Sequence, residues 1–249
     1  MKNSENLISH RFLPINENLI SSIVEGYLYF SNPENFNDPY DCHISLKTSI
    51  ENARRKASGV QRQILDVYTE DLLNRMEADV TRVGVVCFSK SLSNTLMWAH
   101  YAKNHSGLVV TYEIPPSFIL DNVSEILGWS EVSYGNNLIE RFFLSLLPNE
   151  VKSHFENFIG PLLIKLLSTK APAWRYEREF RIVKATPGRF DIEKSWIKQI
   201  CFGLGTKAEH INLIKQLIAK HGYENVTFAR MTRHSSHDFG FRPLRLAAQ

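Results

Sequence analysis

Strand-like runs stand at both ends of this chain with long helical stretches between them, and that arrangement restricts the fold more than any other feature. Ile8–Pro14, Tyr27–Phe30, Val83–Ser89 and Leu108–Ile114 are rich in β-branched and aromatic residues, as are Trp196–Phe202, Val226–Met231 and Phe241–Leu246. Apolar residues recur at helical spacing over Asn16–Glu25, Thr48–Val80, Leu96–Ala102, Ile139–Leu147, Val151–Leu167 and Ala208–His221. Gly26 follows the first of these as a stop, and Gly160-Pro161 predicts a break or kink in the fifth. Strands and helices do not alternate as they would around a parallel sheet. The expectation is therefore an α+β fold: a single domain over 1–249 with a mixed β-sheet core and helical insertions at about 48–80 and 117–168. Gly128-Trp129, with Tyr134 nearby, sits inside the second insertion as either a lid tip or a packed segment.

Composition narrows the class. A chain of 249 residues with 43% hydrophobic and 22% charged residues can bury a core as a globular protein. The net charge of +3 is spread without a basic block, so it does not compel a nucleic-acid partner. Cys42, Cys87 and Cys201 are scattered and odd in number, which supports neither a disulfide framework nor a zinc site. Met1–Asn6 lacks the apolar core of a signal peptide, and no apolar run approaches a membrane span. A cytoplasmic location without a membrane partner is expected.

The candidate chemistry gathers around Lys170–Val183, read as a loop running into a strand. Glu177 and Glu179 are two apart, so an extended chain would put both carboxylates on one face. Arg175, Arg178 and Arg181 surround them, and a structural Arg–Glu ladder would present the same string. His100 and Tyr101 stand beside Trp98 on a short helix, where they either perform acid–base work or pack. Ser31–Asp41 is all turn chemistry and suits a binding wall. Within it Asn37, Asp38 and Asp41 either bond loop amides or offer hard oxygens to a cation. His234-Ser235-Ser236-His237-Asp238 holds the residue types of a hydrolytic triad, but five consecutive residues cannot all face one another, and the segment reads as a loop. Gly203-Leu204-Gly205 is too short for a dinucleotide fingerprint.

Four motifs together resemble the bacterial uncharacterised family DUF2971. They are Asn35-Phe36-Asn37-Asp38-Pro39-Tyr40-Asp41; Cys87-Phe88-Ser89; Met97-Trp98-Ala99-His100-Tyr101-Ala102 with His105 and Gly107; and Trp174-x-Tyr176-Glu177-x-Glu179-x-Arg181. They extend over about residues 8–205. The family name carries no chemistry.

A second resemblance, over fewer residues, is to ADP-ribosyltransferases of the Arg-Ser-Glu class. Their three marks occur here in order: His10-Arg11 on a first strand, Phe88-Ser89-Lys90-Ser91 at a strand end, and Glu177-x-Glu179 leading into an apolar strand. Lys90 stands where that class has Thr. The resemblance implies a split-sheet fold and NAD as substrate. It implies Glu179 as the catalytic glutamate against ribose and Glu177 orienting the acceptor. His10 or Arg11 would hold the nucleotide, and Ser89 and Ser91 would shape the nicotinamide pocket. Asn37, Asp38 and Trp98 complete the candidate cofactor-binding set. Such an enzyme would modify a protein or nucleic acid, as a toxin or phage-defence effector. The competing readings are a metal-dependent nuclease or hydrolase using Asp38, Asp41, Glu177 and Glu179, and a non-catalytic ligand-binding or sensor module. No bound metal is expected under the transferase reading.

Overall fold

The computed structural model describes residues 6–146, 156–233 and 241–246. The elements, in chain order, begin with β1 (Leu7–Leu13), α1 (Glu17–Glu25), β2 (Tyr27–Phe30), α2 (Leu46–Lys56), α3 (Gly59–Asp66), α4 (Glu70–Val80) and β3 (Gly84–Ser89). Next come α5 (Thr95–Tyr101), β4 (Leu108–Ile114), α6 (Ser117–Asp121), β5 (Ile126–Glu131), β6 (Ser133–Tyr134), α7 (Leu138–Ser145) and α8 (Glu156–Leu167). The chain closes with β7 (Thr169–Lys170), β8 (Glu179–Lys184), β9 (Gly188–Asp191), β10 (Ile197–Phe202), α9 (Ala208–Lys220), β11 (Thr227–Arg233) and β12 (Phe241–Arg245). No described helix is long and apolar enough to cross a membrane.

Eight strands form one mixed sheet in the order β12-β11-β10-β4-β1-β3-β8-β5. The α+β expectation holds. Its local signals act as physics requires: Asn16 caps α1 by accepting from the Leu19 amide, and Gly26 closes it in the left-handed conformation at φ 77°. Three hydrophobic clusters pack on the sheet, the third formed by Phe12, Val109, Cys201 and Met231 with Met97 and Trp98 of α5. On one face Phe88, Phe180 and Ile182 pack with α1 and α9 residues such as Ile23 and Ile214. On the other, Val85 and Val183 pack with Ile50, Leu65, Met76 and Phe143 of the helical insertions.

Three expectations are corrected. The stretch 48–80 is three helices, interrupted at Ala57–Ser58 and again at Val67–Thr69. The insertion 117–168 is helical over more than half of its described residues, and between its helices Ile126–Glu131 forms the sheet's edge strand against β8. Trp129 lies in that strand and packs on Phe180, with ring centroids 5.4 Å apart, so it is no lid tip. Finally, α8 runs through Pro161 without a break; the ring sits on the helix's exposed side. The His234–Asp238 cluster lies outside the described residues, as do parts of the two helical segments around 147–155.

The feature that positions the site is a split. β1 meets β3 at a single described pair, His10 opposite Ser89. Beyond it the strands separate, and at the far end Ser31 bridges to Val85 through two backbone hydrogen bonds of 2.9 and 2.8 Å. The wedge between them is therefore open in the middle and closed at both ends.

Candidate functional site

A cavity of 290 Å³ fills this wedge. Residues from both faces of β1 line it, because the strand there has no neighbour on the β3 side: His10 and Phe12 alternate with Arg11 and Leu13. Directly opposed residues on paired strands point to the same side. His10 opposes Ser89, and Ser89 opposes Glu179, so these three stand in one row across three adjacent strands. Cys87 and Arg181 form the next row.

The floor is a buried ionic cluster. All five guanidinium N–H groups of Arg181 are used: Nε donates to Glu179 Oε1 at 2.9 Å, and Nη2 to Glu179 Oε2 at 3.1 Å and Asp41 Oδ2 at 2.6 Å. Its Nη1 donates to Asp41 Oδ1 at 2.9 Å and the Leu167 carbonyl at 2.8 Å. Lys170 Nζ meets three carboxylates, Glu177 at 2.7 Å, Asp41 at 3.1 Å and Glu179 at 3.4 Å. Tyr101 donates to Glu177 Oε1 at 2.5 Å and accepts from Asn37 Nδ2 at 3.3 Å.

Local structure explains the convergence. Residues Pro172–Glu177 form a 3-10 turn, and Arg178 follows in the left-handed region at φ 48°. The two carboxylates therefore meet through a turn and a reversal, and not by the pleat of an extended strand. Lys170 is placed by the short parallel pairing of β6 with β7, where it opposes Tyr134. The Tyr134 hydroxyl accepts from the Glu179 amide at 2.8 Å. Ser89 Oγ donates to the Glu177 carbonyl at 2.6 Å and so locks the 3-10 turn to β3. α5 is tied to the same turn by Asn94 Nδ2 to the Tyr176 carbonyl at 2.8 Å. Three consecutive left-handed residues follow α5, Lys103, Asn104 and His105, with φ of 48°, 51° and 64°. Such a run costs about 1–2 kcal/mol per residue, and backbone strain of this kind concentrates at functional sites. Gly203 and Gly205 hold it by close backbone approach, and their amides bond the Gly107 and His105 carbonyls at 3.0 and 2.9 Å.

Electrostatics separates the two glutamates. Burial pushes the Glu179 carboxyl up, but Arg181 and Lys170 outweigh it and hold the group at about 2. Burial and the nearby Glu179 charge raise Glu177 above the ordinary carboxylate range, against Lys170 and Tyr101. Burial opposes the Lys170 charge, yet Glu179, Asp41 and Glu177 together keep it more basic than usual. Burial raises the Tyr101 phenol, and its bond to Glu177 adds to this. Burial lowers the proton affinity of His10, whose Nδ1 is 3.0 Å from Thr111 Oγ1. Two carboxyls driven apart in this way are the arrangement that assigns a fixed charge to one and a movable proton to the other.

Of the candidates, His10, Arg11, Asn37, Ser89, Tyr101, Glu177 and Glu179 line the cavity. Arg11 donates to the Tyr29 carbonyl at 3.3 Å. Asp38 accepts from the Tyr40 amide at 2.9 Å and lines a neighbouring cavity that also reaches Lys170. The Ser91 amide donates to Ser89 Oγ at 3.1 Å, and Ser91 supports the wall from outside. Trp98 is fully buried, donates to the Leu92 carbonyl at 2.8 Å and packs edge-on against Phe12. His100 is exposed, with its ring 6.2 Å from that of Tyr176. Of the three flanking arginines only Arg181 joins the carboxylates; Arg175 donates to the Tyr134 carbonyl at 3.2 Å and Arg178 is exposed.

Lys170, Arg181 and the inward-facing Asp41 were not singled out together by the sequence. The available signal was Glu179-x-Arg181 alternating with Phe180 and Ile182, a charged face on a strand otherwise fit for a core. For a metal-dependent reading, Asp41, Glu177 and Glu179 already have Lys170 and Arg181 as counter-ions. Among the described residues no group of three or more His, Cys, Asp or Glu is placed to hold an ion.

These features define a class: an α+β protein with a split sheet and a buried ionic cluster at the floor of the split. The model of the family described as "Protein of unknown function (DUF2971)" matches residues 97–182, from α5 to β8. The match contains the Met97–Ala102 and Trp174–Arg181 motifs, and leaves Asn35–Asp41 and Cys87–Ser89 outside it. No curated protein and no solved structure matches the chain.

Proposed function

We propose that the chain is an ADP-ribosyltransferase-like enzyme that uses NAD as substrate in the cavity between β1 and β3. The observation that carries the reading is the row His10–Ser89–Glu179, in register on three adjacent strands beside the split. In this reaction the bond between ribose C1′ and the nicotinamide ring nitrogen breaks, and its electron pair leaves with the ring. Glu179, ionised throughout the neutral range, offsets the positive charge that develops on the ribose. The acceptor bonds to C1′, and its proton passes to Glu177, whose raised affinity for protons suits a base. His10 and Ser89 form the wall beside the ring, and Arg11 lies where the rest of the nucleotide leaves the cavity. A volume of 290 Å³ suits the nicotinamide ribose end alone, so the remainder would lie along the opening.

A second reading rests on a specific observation. Both Glu179 oxygens are already held by Arg181 and Lys170. A binding or sensor module with a rigid polar floor would be built in the same way. The test is nicotinamide release and label transfer from adenylate-labelled NAD, with Glu179→Gln and His10→Ala beside the wild type. The transferase reading expects release to fall about 100-fold or more in Glu179→Gln, the scale of losing one electrostatic stabiliser. It expects weaker NAD binding in His10→Ala, which leaves the ionic cluster intact. Folded wild-type protein that neither binds nor cleaves NAD would overturn it. Binding without cleavage, unchanged by acceptor extracts, would favour the module.

A further inference from the structure

The geometry points to single-stranded nucleic acid as the partner at the rim of this cavity, supplying the acceptor for the transfer proposed above. Four rings form a continuous row that ends at the cavity, Trp174, Tyr176, His100 and Tyr101. Trp174 and Tyr176 have centroids 6.0 Å apart with planes inclined by 41°, and Tyr176 and His100 are 6.2 Å apart at 35°. The row ends at Tyr101, 6.3 Å from His100, whose hydroxyl is bonded to Glu177 inside the cavity. His100 is exposed and Trp174 and Tyr176 are half-exposed, so ring surface is available to stack on. Tyr176 and Tyr101 rest on the core cluster of Phe12, Met97 and Trp98, which holds the row in place from beneath.

Charge agrees with the rings. The rim is built from residues 95–105 and 170–178. The first segment contains no Asp or Glu, and the second contains only Glu177, which is 2% exposed and turned inward. Arg175, Arg178 and Lys103 are all exposed on these segments. Lys103 stands in the strained left-handed turn and Arg178 in its own left-handed position, so their backbones are fixed at the mouth. Basic residues interleaved with aromatic platforms suit unpaired bases and their phosphates; a paired duplex keeps its base faces covered. Trp174 also lies against Lys170 Nζ, 4.9 Å from its ring centroid, and an acidic protein acceptor would use the charges and leave the rings of Tyr176 and His100 without a role. A base seated at Tyr101 would present its nucleophilic nitrogen or oxygen to C1′, with nicotinamide leaving and the base proton passing to Glu177.

The experiment measures binding of fluorescent oligonucleotides of about 12 nucleotides by anisotropy, without NAD, so that a failed transferase reading leaves the result readable. The probes are mixed-sequence RNA, the matching DNA strand and the DNA duplex. Variants are Trp174→Ala and Arg175→Gln/Arg178→Gln, each checked for the wild-type unfolding midpoint. The proposal expects single strands to bind more tightly than duplex, and Trp174→Ala to weaken them about tenfold. It expects the double arginine variant to reduce the slope of log affinity against log salt by about 1.4, or about 0.7 per phosphate contact. RNA and DNA arms decide which strand is preferred. No strand binding by folded protein, equal binding of duplex, or single-strand affinity unmoved by Trp174→Ala overturns it. Transfer of label to protein in an extract with none to nucleic acid does the same.

Discussion

Replacing Arg181 with Met removes five hydrogen-bond donors and one charge from the most enclosed charged position among the described residues. Arg181 is 1% exposed, and its two carboxylate partners, Asp41 and Glu179, are 2% and 6% exposed. Met keeps much of the stem's volume, so the loss is electrostatic more than steric. Removing one partner of a buried ion pair costs about 3–5 kcal/mol, because the other charge stays buried without compensation. Lys170 remains, but it already faces all three carboxylates. Against a total stability of about 5–15 kcal/mol this is a large fraction, and for a chain of this size it lowers the midpoint by about 6–20 °C. The pH dependence identifies the cause. In the wild type, Glu179 is held at about 2, below its ordinary value, so its contribution is present above the unfolded value and is lost as pH falls toward 2. Without Arg181, burial dominates and the Glu179 carboxyl rises above its unfolded value. The variant then recovers stability as pH falls from 7 to 5, because Glu179 takes up a proton in the fold. The assay is urea unfolding of both proteins at pH 7 and pH 5, followed by tryptophan fluorescence. A deficit under about 1 kcal/mol at pH 7 would refute the reasoning, being below the range for a broken buried pair. So would a deficit that stays constant or grows at pH 5.

Three further outcomes follow from geometry. A Cβ on Gly203 would lie 2.0 Å from the His105 carbonyl oxygen, so Gly203→Ala should displace the left-handed turn and abolish or severely reduce soluble folded protein; Gly160→Ala, with nothing within 4 Å in a helix, should be neutral or stabilising by about 0.5–1 kcal/mol in the same unfolding assay. Tyr101→Phe removes the 2.5 Å hydrogen bond to Glu177 and should cost about 1.5–3 kcal/mol at pH 7, read by urea unfolding, with the loss shrinking at acid pH as Glu177 is protonated.

Local signals were sufficient where one element decided its own structure. Asn16 and Gly26 bound α1, and β-branched runs marked β3 and β4. Long-range pairing was not legible. Leu127-Gly128-Trp129 lies between helical patterns, and only β8 makes it a strand; Gly188–Asp191 is a strand only because β2 lies beside it. At the site, Glu177, Glu179, Ser89, His10 and Tyr101 were visible as residue types that chemistry uses. Their grouping was not, since Asp41 and Arg181 are 140 positions apart and meet only in the fold. The arginine string around Glu177 and Glu179 concealed a division of labour. Arg181 alternates inward with Glu179, whereas Arg175 and Arg178 are carried outward by the 3-10 turn and the reversal after it.

That division sets what the cavity can accept. Among the described residues the cations paired with Asp41, Glu177 and Glu179 are Lys170 and Arg181, so three carboxyls share two cations. The cluster is neutral when one carboxyl holds a proton, and Glu177 is the one raised above its ordinary range. A cationic group entering the cavity can take the place of that proton, because it supplies the missing positive charge. An anionic group would add to the excess and be disfavoured. Outside, the signs reverse: Lys103, Arg175 and Arg178 are exposed on segments with no exposed carboxylate. The mouth therefore separates a floor that favours positive charge from a rim that favours negative charge. A molecule that is cationic at its reacting end and anionic along its length matches both. NAD has that polarity in its pyridinium ring and pyrophosphate, and a nucleic-acid strand meets only the rim. Under the proposed transfer, the same polarity would keep NAD and the strand from competing for one place.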